Sequence, residues 1–332
     1  MKKILILGSN SFSGNHLVNF LLKKNLIVYG CSQSIENPER FNAIENLKKY
    51  KLKKKFYFKK LNINTHFGYL SKIIGDFKPD VIVDFLGQGM VSESWSYPEL
   101  TFQSNVISKI KLYEYLKNKR FLKKYIKIST PEVFGSSTTL KSDSLNYNPS
   151  TPYALSHSSI ETYLRLLNKQ FKFPVIFSRF ANFYGPYQKL YRVIPLAIHK
   201  AHKKEKFKLH GGGKSKRSFI YAEDFCQGIY KMIKKGSIGS FYQFSSNEYF
   251  SIRHIVELIY RKKGLDPKKY ISNVKDRLGK DKDYKIIDKD TRKLLNWENK
   301  TKITDGINKV IEWYKIYNHT FKNKDQKFKI KK

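Results

Sequence analysis

Short apolar runs alternate with amphipathic stretches along the first half of the chain. Six runs have the length and flanking turn residues of buried strands, at 3–7, 27–31, 56–61, 81–86, 125–129 and 175–178. Helical spacing of apolar residues predicts helices over 14–24, 99–118 and 152–169. Strands that alternate with helices indicate βαβ units. The pattern therefore predicts an α/β fold, a Rossmann-like doubly wound parallel sheet covered on both faces.

The pattern changes after about residue 182, where loops rich in glycine and aromatic residues appear. Helices are predicted near 223–235 and 251–263, in a smaller C-terminal lobe interleaved with the end of the sheet domain. The predicted division gives 1–185 and about 215–245 to the sheet domain, and about 186–214 and 246–320 to the lobe. Residues 321–332 are expected to form a mobile basic tail.

The net charge of +38 would suit a nucleic-acid-binding protein if the basic residues formed a stripe. Most of them are Lys and are scattered, with local clusters at 51–60, 123–127 and 322–332. We attribute the charge to biased composition and expect no nucleic-acid partner. Such a surface still attracts an anionic substrate.

The sequence contains only weak signals for export or for insertion into a membrane. The apolar run after Met1 is too short for a signal peptide, and no stretch is long enough to span a bilayer. Cys31 and Cys226 are the only cysteines, which leaves neither a disulfide framework nor a cysteine-based metal site. We expect a cytoplasmic protein without a membrane partner or a bound metal.

A glycine-containing turn joins the first predicted strand to the first helix. Gly8 and Gly14 occupy two of the three glycine positions of a dinucleotide-binding turn, and Ser11 fills the middle one. Such a turn presents N–H groups and a helix N-terminus to a pyrophosphate, although an ordinary tight turn is the alternative. No acid follows the second strand until Glu36, and Arg40 is nearby, so NAD and NADP both remain open.

Candidate catalytic residues follow the fifth strand and open the helix after it. Thr130 and Glu132 come directly after the strand, and Tyr153 and His157 share one helix face. A tyrosine acts as a base only if its pKa falls well below about 10. A nearby cation lowers it through its charge.

These segments resemble the NAD-dependent epimerase/dehydratase family of extended short-chain dehydrogenases/reductases, in particular its dTDP-glucose and GDP-mannose 4,6-dehydratases. The resemblance extends to about residue 318 and includes the turn at Gly8. Its other segments are 85–88, 130–132, 148–153, 178–186, 217–224, 276–281, 296–297 and 311–314. It implies that the sheet domain binds NAD, or NADP, and that the lobe binds a nucleotide-diphosphate sugar.

The resemblance implies a 4,6-dehydratase. Tyr153 would take the proton of the sugar 4-hydroxyl, with Thr130 bonded to the same oxygen, while hydride passes from C4 to the nicotinamide. Glu132 would then remove the C5 proton, the C6 hydroxyl would leave and hydride would return to C6. Two positions depart from the pattern. His157 stands where the family has the lysine of a Tyr-x-x-x-Lys pair, and Pro131 where the dTDP-glucose enzymes have an acid.

The resemblance also assigns binding residues and a second subunit. The cofactor set is Gly8, Asn10, Ser11, Phe12, Gly14, Ser32, Asn62, Ile63, Leu86, Gly87, Asn105, Ser129, Tyr153 and His157. The substrate set is Ser94, Thr130, Asn182, Arg192, Arg217 and Arg277. The helices over 99–118 and 152–169 are expected to pair with a second subunit in a homodimer, and the product class suggests cell-surface polysaccharide biosynthesis.

Two other functions remain open at this point. One is a C4 epimerase or 4-dehydrogenase acting on the same substrate class. The other is a degenerate nucleotide-sugar-binding protein, whose catalysis is impaired because the charge of His157 is conditional near neutral pH.

Overall fold

Apolar side chains on both faces of the strands build a buried parallel sheet. The computed structural model describes residues 1–35, 37–44, 55–140, 144–276 and 284–328. The strands are β1 Lys3–Leu7, β2 Ile27–Ser32, β3 Phe56–Lys60, β4 Val81–Asp84, β5 Lys124–Ser129, β6 Ser137–Leu140, β7 Val175–Phe180, β8 Asn182–Tyr184, β9 Phe207–His210, β10 Lys216–Arg217, β11 Phe219–Tyr221, β12 Phe241–Phe244, β13 Phe250–Ser251, β14 Ile271–Val274 and β15 Tyr284–Ile286.

Helices cover the sheet and build the smaller lobe. They are α1 Phe12–Lys23, α2 Phe67–Phe77, α3 Val91–Ser96, α4 Pro98–Phe102, α5 Ser108–Leu116, α6 Pro152–Phe171, α7 Val193–His202, α8 Ala222–Lys235, α9 Ile252–Lys262, α10 Pro267–Tyr270, α11 Lys289–Leu295 and α12 Ile303–Tyr317. A π-helical segment, Gln103–Ile107, joins α4 to α5, and a short 3-10 helix, Pro131–Phe134, follows β5. Within the described ranges, no helix combines the length and the apolarity needed to cross a bilayer.

Seven parallel strands form the central sheet in the order β12-β7-β5-β4-β1-β2-β3. The fold is therefore the Rossmann-like α/β fold expected from the sequence, and all six predicted strands lie in this sheet. From β1 the chain first adds β2 and β3 on one side of the sheet, and it then adds β4, β5, β7 and β12 on the other side. This change of direction opens a crevice at the carboxyl ends of β1 and β4, where such sheets bind ligands.

Two apolar clusters lie on opposite faces of the sheet, and a third lies in the C-terminal lobe. Alternate residues of each strand contribute to opposite faces, as Ile126 and Tyr125 of β5 illustrate. The lobe cluster is built mainly by α7, α9 and α12. Short two-stranded pairs, such as β8 with β11 and β9 with β14, belong to the region after the sheet's β7.

The predicted helix over 99–118 is interrupted, and this is the main local difference from the sequence prediction. The π-helical segment adds a residue to one turn, so its Asn105 is brought against the loop after β4. The amphipathic pattern on each side is helical, so the pattern alone does not reveal the wider turn.

Candidate active site

The turn from β1 into α1 has the geometry of a phosphate-binding loop. Gly8 has a φ of 82° and donates its N–H to the carbonyl oxygen of Cys31 at 2.7 Å. A Cβ on Gly14 would lie 2.3 Å from the carbonyl oxygen of Gly8, so glycine is required there. Ser11 has an ordinary φ of −67°, and its Oγ accepts a hydrogen bond from the N–H of Gly14 at 3.0 Å. The middle position therefore accommodates a helix-capping serine.

The residues beside this turn hold its loop in place. Asn10 donates its side-chain amide to the carbonyl oxygen of Ser34 at 3.0 Å, and Asn37 donates to the carbonyl oxygen of Asn10 at 2.8 Å. Phe12 stacks on Phe183 with ring centroids 5.2 Å apart. The loop after β2 is thus tied to the first turn from both sides.

A cavity of about 200 Å³ opens at the ends of β2 and β3. Its lining includes Gln33, Lys60, Asn62 and His66, of which only Asn62 belongs to the predicted cofactor set. Two further residues of the predicted cofactor set are buried and adjoin lining residues in the sequence. Ser32 ends β2 and precedes Gln33, and Ile63 follows Asn62. Lys60 and His66 carry no motif, so nothing in the sequence singles them out.

Arg40, one of the groups considered for a 2′-phosphate, has another partner. Its guanidinium forms an ion pair with Asp325 at 3.2 Å, and its carbonyl oxygen accepts from the indole N–H of Trp313 at 3.2 Å. Arg40 is thereby bound to the C-terminal segment, while Glu36 lies outside the described residues.

The loop after β4 is held by the π-helical segment. Gly87 has a φ of 140°, and a Cβ there would lie 2.4 Å from Oδ1 of Asn105. That oxygen accepts from the N–H of Gln88 at 2.7 Å, and the Asn105 amide donates to Oγ of Ser156 at 2.9 Å. Leu86, also in the predicted set, packs against the apolar cluster beneath. Asn105 therefore connects the loop after β4 to the first turns of α6.

A short turn after β5 positions the predicted catalytic residues. Ser129 ends the strand, and the buried Thr130 caps the 3-10 helix by accepting the N–H of Glu132 at 3.2 Å. Gly135 ends this turn with a φ of 64°, and a Cβ there would lie 2.5 Å from the carbonyl oxygen of Asn148. The turn is compact because a proline begins it and a glycine ends it.

Tyr153, in the first turn of α6, meets the residues of the turn after β5. Burial and then the negative charge of Glu132 raise the pKa of Tyr153. A side-chain hydrogen bond with Thr130 and the positive charge of Arg192 oppose that rise. Ser94 accepts the backbone N–H of Tyr153 at 3.1 Å, a group that has no partner within the helix. Two segments distant in sequence therefore converge on one phenol.

His157 lies beside Tyr153, with ring centroids 4.7 Å apart in an edge arrangement. Its Nδ1 is buried and has no hydrogen-bond partner among the described residues. Burial, and then the ammonium groups of Lys127 and Lys109, hold the pKa of His157 well below its ordinary value. The imidazole is therefore neutral at neutral pH, and the protonated form considered from the sequence is disfavoured.

The predicted substrate residues occupy several elements around this crevice. Arg192 precedes α7, and its charge acts on Tyr153, so these two side chains are close. Asn182 begins β8 and pairs with Phe219 of β11. The buried Arg217 lies two residues before Phe219, in β10, where it pairs with Phe250 of β13. Arg277 lies outside the described residues.

The chain matches the family model for GDP-mannose 4,6-dehydratase over residues 5–310. Human dTDP-D-glucose 4,6-dehydratase is 28% identical over 97% of this chain and 92% of its own length. The crystal structure of dTDP-glucose 4,6-dehydratase from Bacillus anthracis in complex with NAD is 26% identical. Its TM-score is 0.82, with 96% of this chain and 98% of that chain covered. UDP-glucuronic acid 4-epimerase from Bacillus cereus, in complex with UDP-glucuronic acid and NAD, is 25% identical with a TM-score of 0.84 and coverages of 95% and 99%.

The close approach of Gly87 to Asn105 gives a direct test of the predicted cofactor site. Gly87→Ala would place a methyl group against Oδ1 of Asn105 and strain a positive φ. We expect the affinity for NAD, measured by calorimetry, to fall by about 10-fold or more. Gly89→Ala is the matched control because a Cβ at Gly89 meets nothing within 4 Å. Equal NAD affinity in the two variants would contradict the assigned site.

Proposed function

This chain belongs to the GDP-mannose 4,6-dehydratase family, and on that basis we propose that it is an NAD-dependent nucleotide-sugar 4,6-dehydratase. The observation that carries the proposal is the convergence of Thr130, Glu132 and Tyr153 on one point of the crevice. A phenol and a hydroxyl suit proton removal from an alcohol, and a carboxylate suits proton removal from the carbon beside the resulting ketone. A C4 epimerase needs the phenol and the hydroxyl, but its reaction does not require the carboxylate.

The described residues fit a bound NAD. The turn at Gly8 and Gly14 leaves no room for a Cβ, as a backbone cradle for a pyrophosphate requires, and Asn105 holds Gly87 in a conformation that suits close approach. We assign the pyrophosphate to the first turn and the adenosine to the cavity lined by Gln33 and Asn62. When bound, NAD supplies the hydride acceptor for C4 and the hydride donor for C6.

The catalytic steps assigned to this chain are proton transfers at named atoms. Oη of Tyr153 takes the proton of the sugar 4-hydroxyl, and Oγ1 of Thr130 holds the same oxygen. A carboxylate oxygen of Glu132 then takes the C5 proton. Pro131 contributes no acid, so Glu132 is also the group that can return a proton to the departing C6 hydroxyl.

We assign the substrate to the nucleoside-diphosphate hexoses. The relatives named above act on or bind dTDP- and UDP-linked sugars. Arginine suits the diphosphate because its planar fork matches phosphate oxygens, which supports roles for Arg192, Arg217 and Arg277. Ser94 and Asn182 are assigned to the sugar. Because Ser94 already accepts the N–H of Tyr153, its role is to place the phenol as well.

The activity is tested by incubating the purified protein and NAD with dTDP-glucose, UDP-glucose and GDP-mannose. Mass spectrometry should find a product that has lost one water, a 4-keto-6-deoxy sugar. Inversion at C4 without loss of water would favour the epimerase. Binding of a sugar nucleotide without any product, from the wild type at any pH, would favour the degenerate binding protein.

Replacing Glu132 separates dehydration from oxidation. In Glu132→Gln we expect the rate of water loss to fall by about 1,000-fold because C5 loses its base. Oxidation at C4, followed by absorbance at 340 nm in a single turnover, should persist. Glu298→Gln, on an exposed residue, is the control. An unchanged dehydration rate in Glu132→Gln would contradict the assigned role.

The environment of Tyr153 predicts an alkaline activity profile. The active form is the phenolate, and the pKa of Tyr153 is raised, so activity is lost as the pH falls. The single-turnover rate of C4 oxidation should rise about 10-fold per pH unit between about pH 7 and 9. A plateau already reached at pH 7 would show that another group lowers the pKa of this phenol.

We propose a homodimer formed through α5 and α6. Exposed apolar side chains lie on α6 and at the end of the π-helical segment that leads into α5, among them Leu155, Leu166 and Ile107 at 46%, 54% and 46% exposure. Leu155 and Leu166 are eleven residues apart and therefore share one face of α6. Exposed apolar side chains that share one helix face are typical of a subunit interface.

The dimer is tested by placing a charge on that face. Leu166→Glu should weaken self-association by about 100-fold or more, measured by analytical ultracentrifugation. Leu294→Glu is the control because Leu294 is 64% exposed on α11, away from this face. A wild-type protein that sediments as a monomer, or a Leu166→Glu variant that still dimerises, would refute the assignment.

Two further assignments concern the location of the protein and its domain organisation. We place the protein in the cytoplasm because Cys31 and Cys226 are free, buried thiols, as is usual in a reducing compartment. The product would then supply cell-surface polysaccharide biosynthesis. The division into an NAD-binding domain and a substrate lobe is retained with its predicted boundaries, supported by the separate apolar cluster of α7, α9 and α12.

A further inference from the structure

Five charged side chains are buried between the sheet and the helices α5 and α6. Each is exposed by 2% or less. They are Asp84 on β4, Lys109 on α5, Lys127 on β5, Glu161 on α6 and Arg179 on β7. None of them belongs to the sets assigned above, yet His157 lies in the same layer. Charged groups in such a place are costly unless each is compensated.

The sheet register explains why these groups meet. Asp84 is the direct neighbour of Lys127 across β4 and β5, and Arg179 is the neighbour of Ser129 across β5 and β7. Lys127 and Ser129 are two residues apart on β5 and therefore point to the same face. His157 and Glu161 are four residues apart on α6, which packs on that face, so they point toward these strands together.

Each carboxylate already has a cation of its own. Asp84 forms an ion pair with Lys109 and accepts the hydroxyl of Tyr125 at 2.7 Å. Glu161 forms an ion pair with Arg179 at 2.5 Å and accepts the hydroxyl of Tyr147 at 2.6 Å. The two acids are therefore balanced by Lys109 and Arg179.

Lys127 is the third cation of this layer, after Lys109 and Arg179. It makes no ion pair within 4.0 Å in the described part of the chain, although the charges of Asp84 and Glu161 act on it and oppose the lowering of its pKa by burial. Its own charge acts in turn on His157. Among the described residues, the layer thus holds three cations and two anions, and a protonated His157 would be a fourth cation without a partner there.

We propose that Lys127 and residue 157 compete for a single positive charge, which in this chain resides on the strand rather than on α6. Lys127 is then a positioning residue that fixes His157 as a neutral imidazole. The histidine at position 157, where the family has a lysine, and the buried Lys127 therefore form one arrangement in which each depends on the other. The role of this arrangement in catalysis rests on the proposed function.

Restoring the family's lysine at position 157 would add a charge to this layer. A lysine at position 157 would bring a second ammonium group against Lys127 with no carboxylate left to pair with it. His157→Lys alone should therefore destabilise the protein, whereas Lys127→Met together with His157→Lys should be tolerated. Both positions lie in a layer where an uncompensated charge is strongly unfavourable.

The first experiment follows the ring of His157 by NMR in protein carrying isotope-labelled histidine, with the signal identified by its loss in His157→Gln. Lys127 and Lys109 act on this ring through their charge, and Tyr153 contacts it. The other titratable and charged groups of the layer are Asp84, Tyr113, Tyr125, Tyr147, Glu161 and Arg179. In Lys127→Met the titration midpoint of His157 should lie at a higher pH than in the wild type. Lys127→Gln replaces this variant if Lys127→Met folds poorly. An unmoved midpoint overturns the proposal.

The second experiment is a double-mutant cycle on the melting temperature. His157→Lys should lower it by about 5 °C or more, and adding Lys127→Met should restore most of the loss. Lys124→Met is the matched control, because Lys124 lies on β5 but donates to the carbonyl oxygens of Met232 and Ile233 on α8. A His157→Lys variant as stable as the wild type, or equal rescue by Lys124→Met, overturns the proposal. Neither readout depends on dehydratase activity, so a failure of the proposed function leaves both results interpretable.

Discussion

The meeting of Tyr153 with Thr130 and Glu132 depends on a property of parallel sheets, namely that all carboxyl ends lie on one edge. β5 ends at that edge and delivers Thr130 and Glu132 in a turn fixed by a proline and a glycine. α6 begins at the same edge, and its first N–H groups are bound by Thr151 and Ser94. The position of the phenol is therefore set by helix capping rather than by contacts of the ring alone.

Charge is the second constraint on this site. A phenol that acts as a base needs a cation nearby, and the neutral His157 does not supply one. Arg192, from the N-terminus of α7, is the cation whose charge favours the ionised phenol. Because Arg192 is also assigned to the diphosphate, the electrostatic environment of Tyr153 depends on the position of the lobe that carries the substrate.

The sequence predicted the sheet well because most of its strands, though not the edge strand β3, are buried on both faces and rich in apolar residues. Motif spacing also singled out Thr130, Glu132 and Tyr153, which the fold brings together, although their roles stay predictions. The sequence did not reveal the π-helical turn at Asn105, because the apolar spacing on either side of that turn is helical. Lys60 and His66 were missed for another reason. Lys60 ends β3 and His66 precedes α2, and it is the fold that brings both to the cavity, which no local pattern records.

The departure at His157 shows what a motif comparison omits. Taken alone, a histidine in place of a lysine suggests an impaired redox pair that the original residue would repair. Lys127 in β5 carries no motif, yet it lies in the layer into which residue 157 projects, beside two carboxylates that already have partners. Since buried charge must be balanced within its layer, the effect of residue 157 depends on residue 127, thirty positions earlier and on another element. A family lysine is compatible with this interior only if the strand lysine is absent.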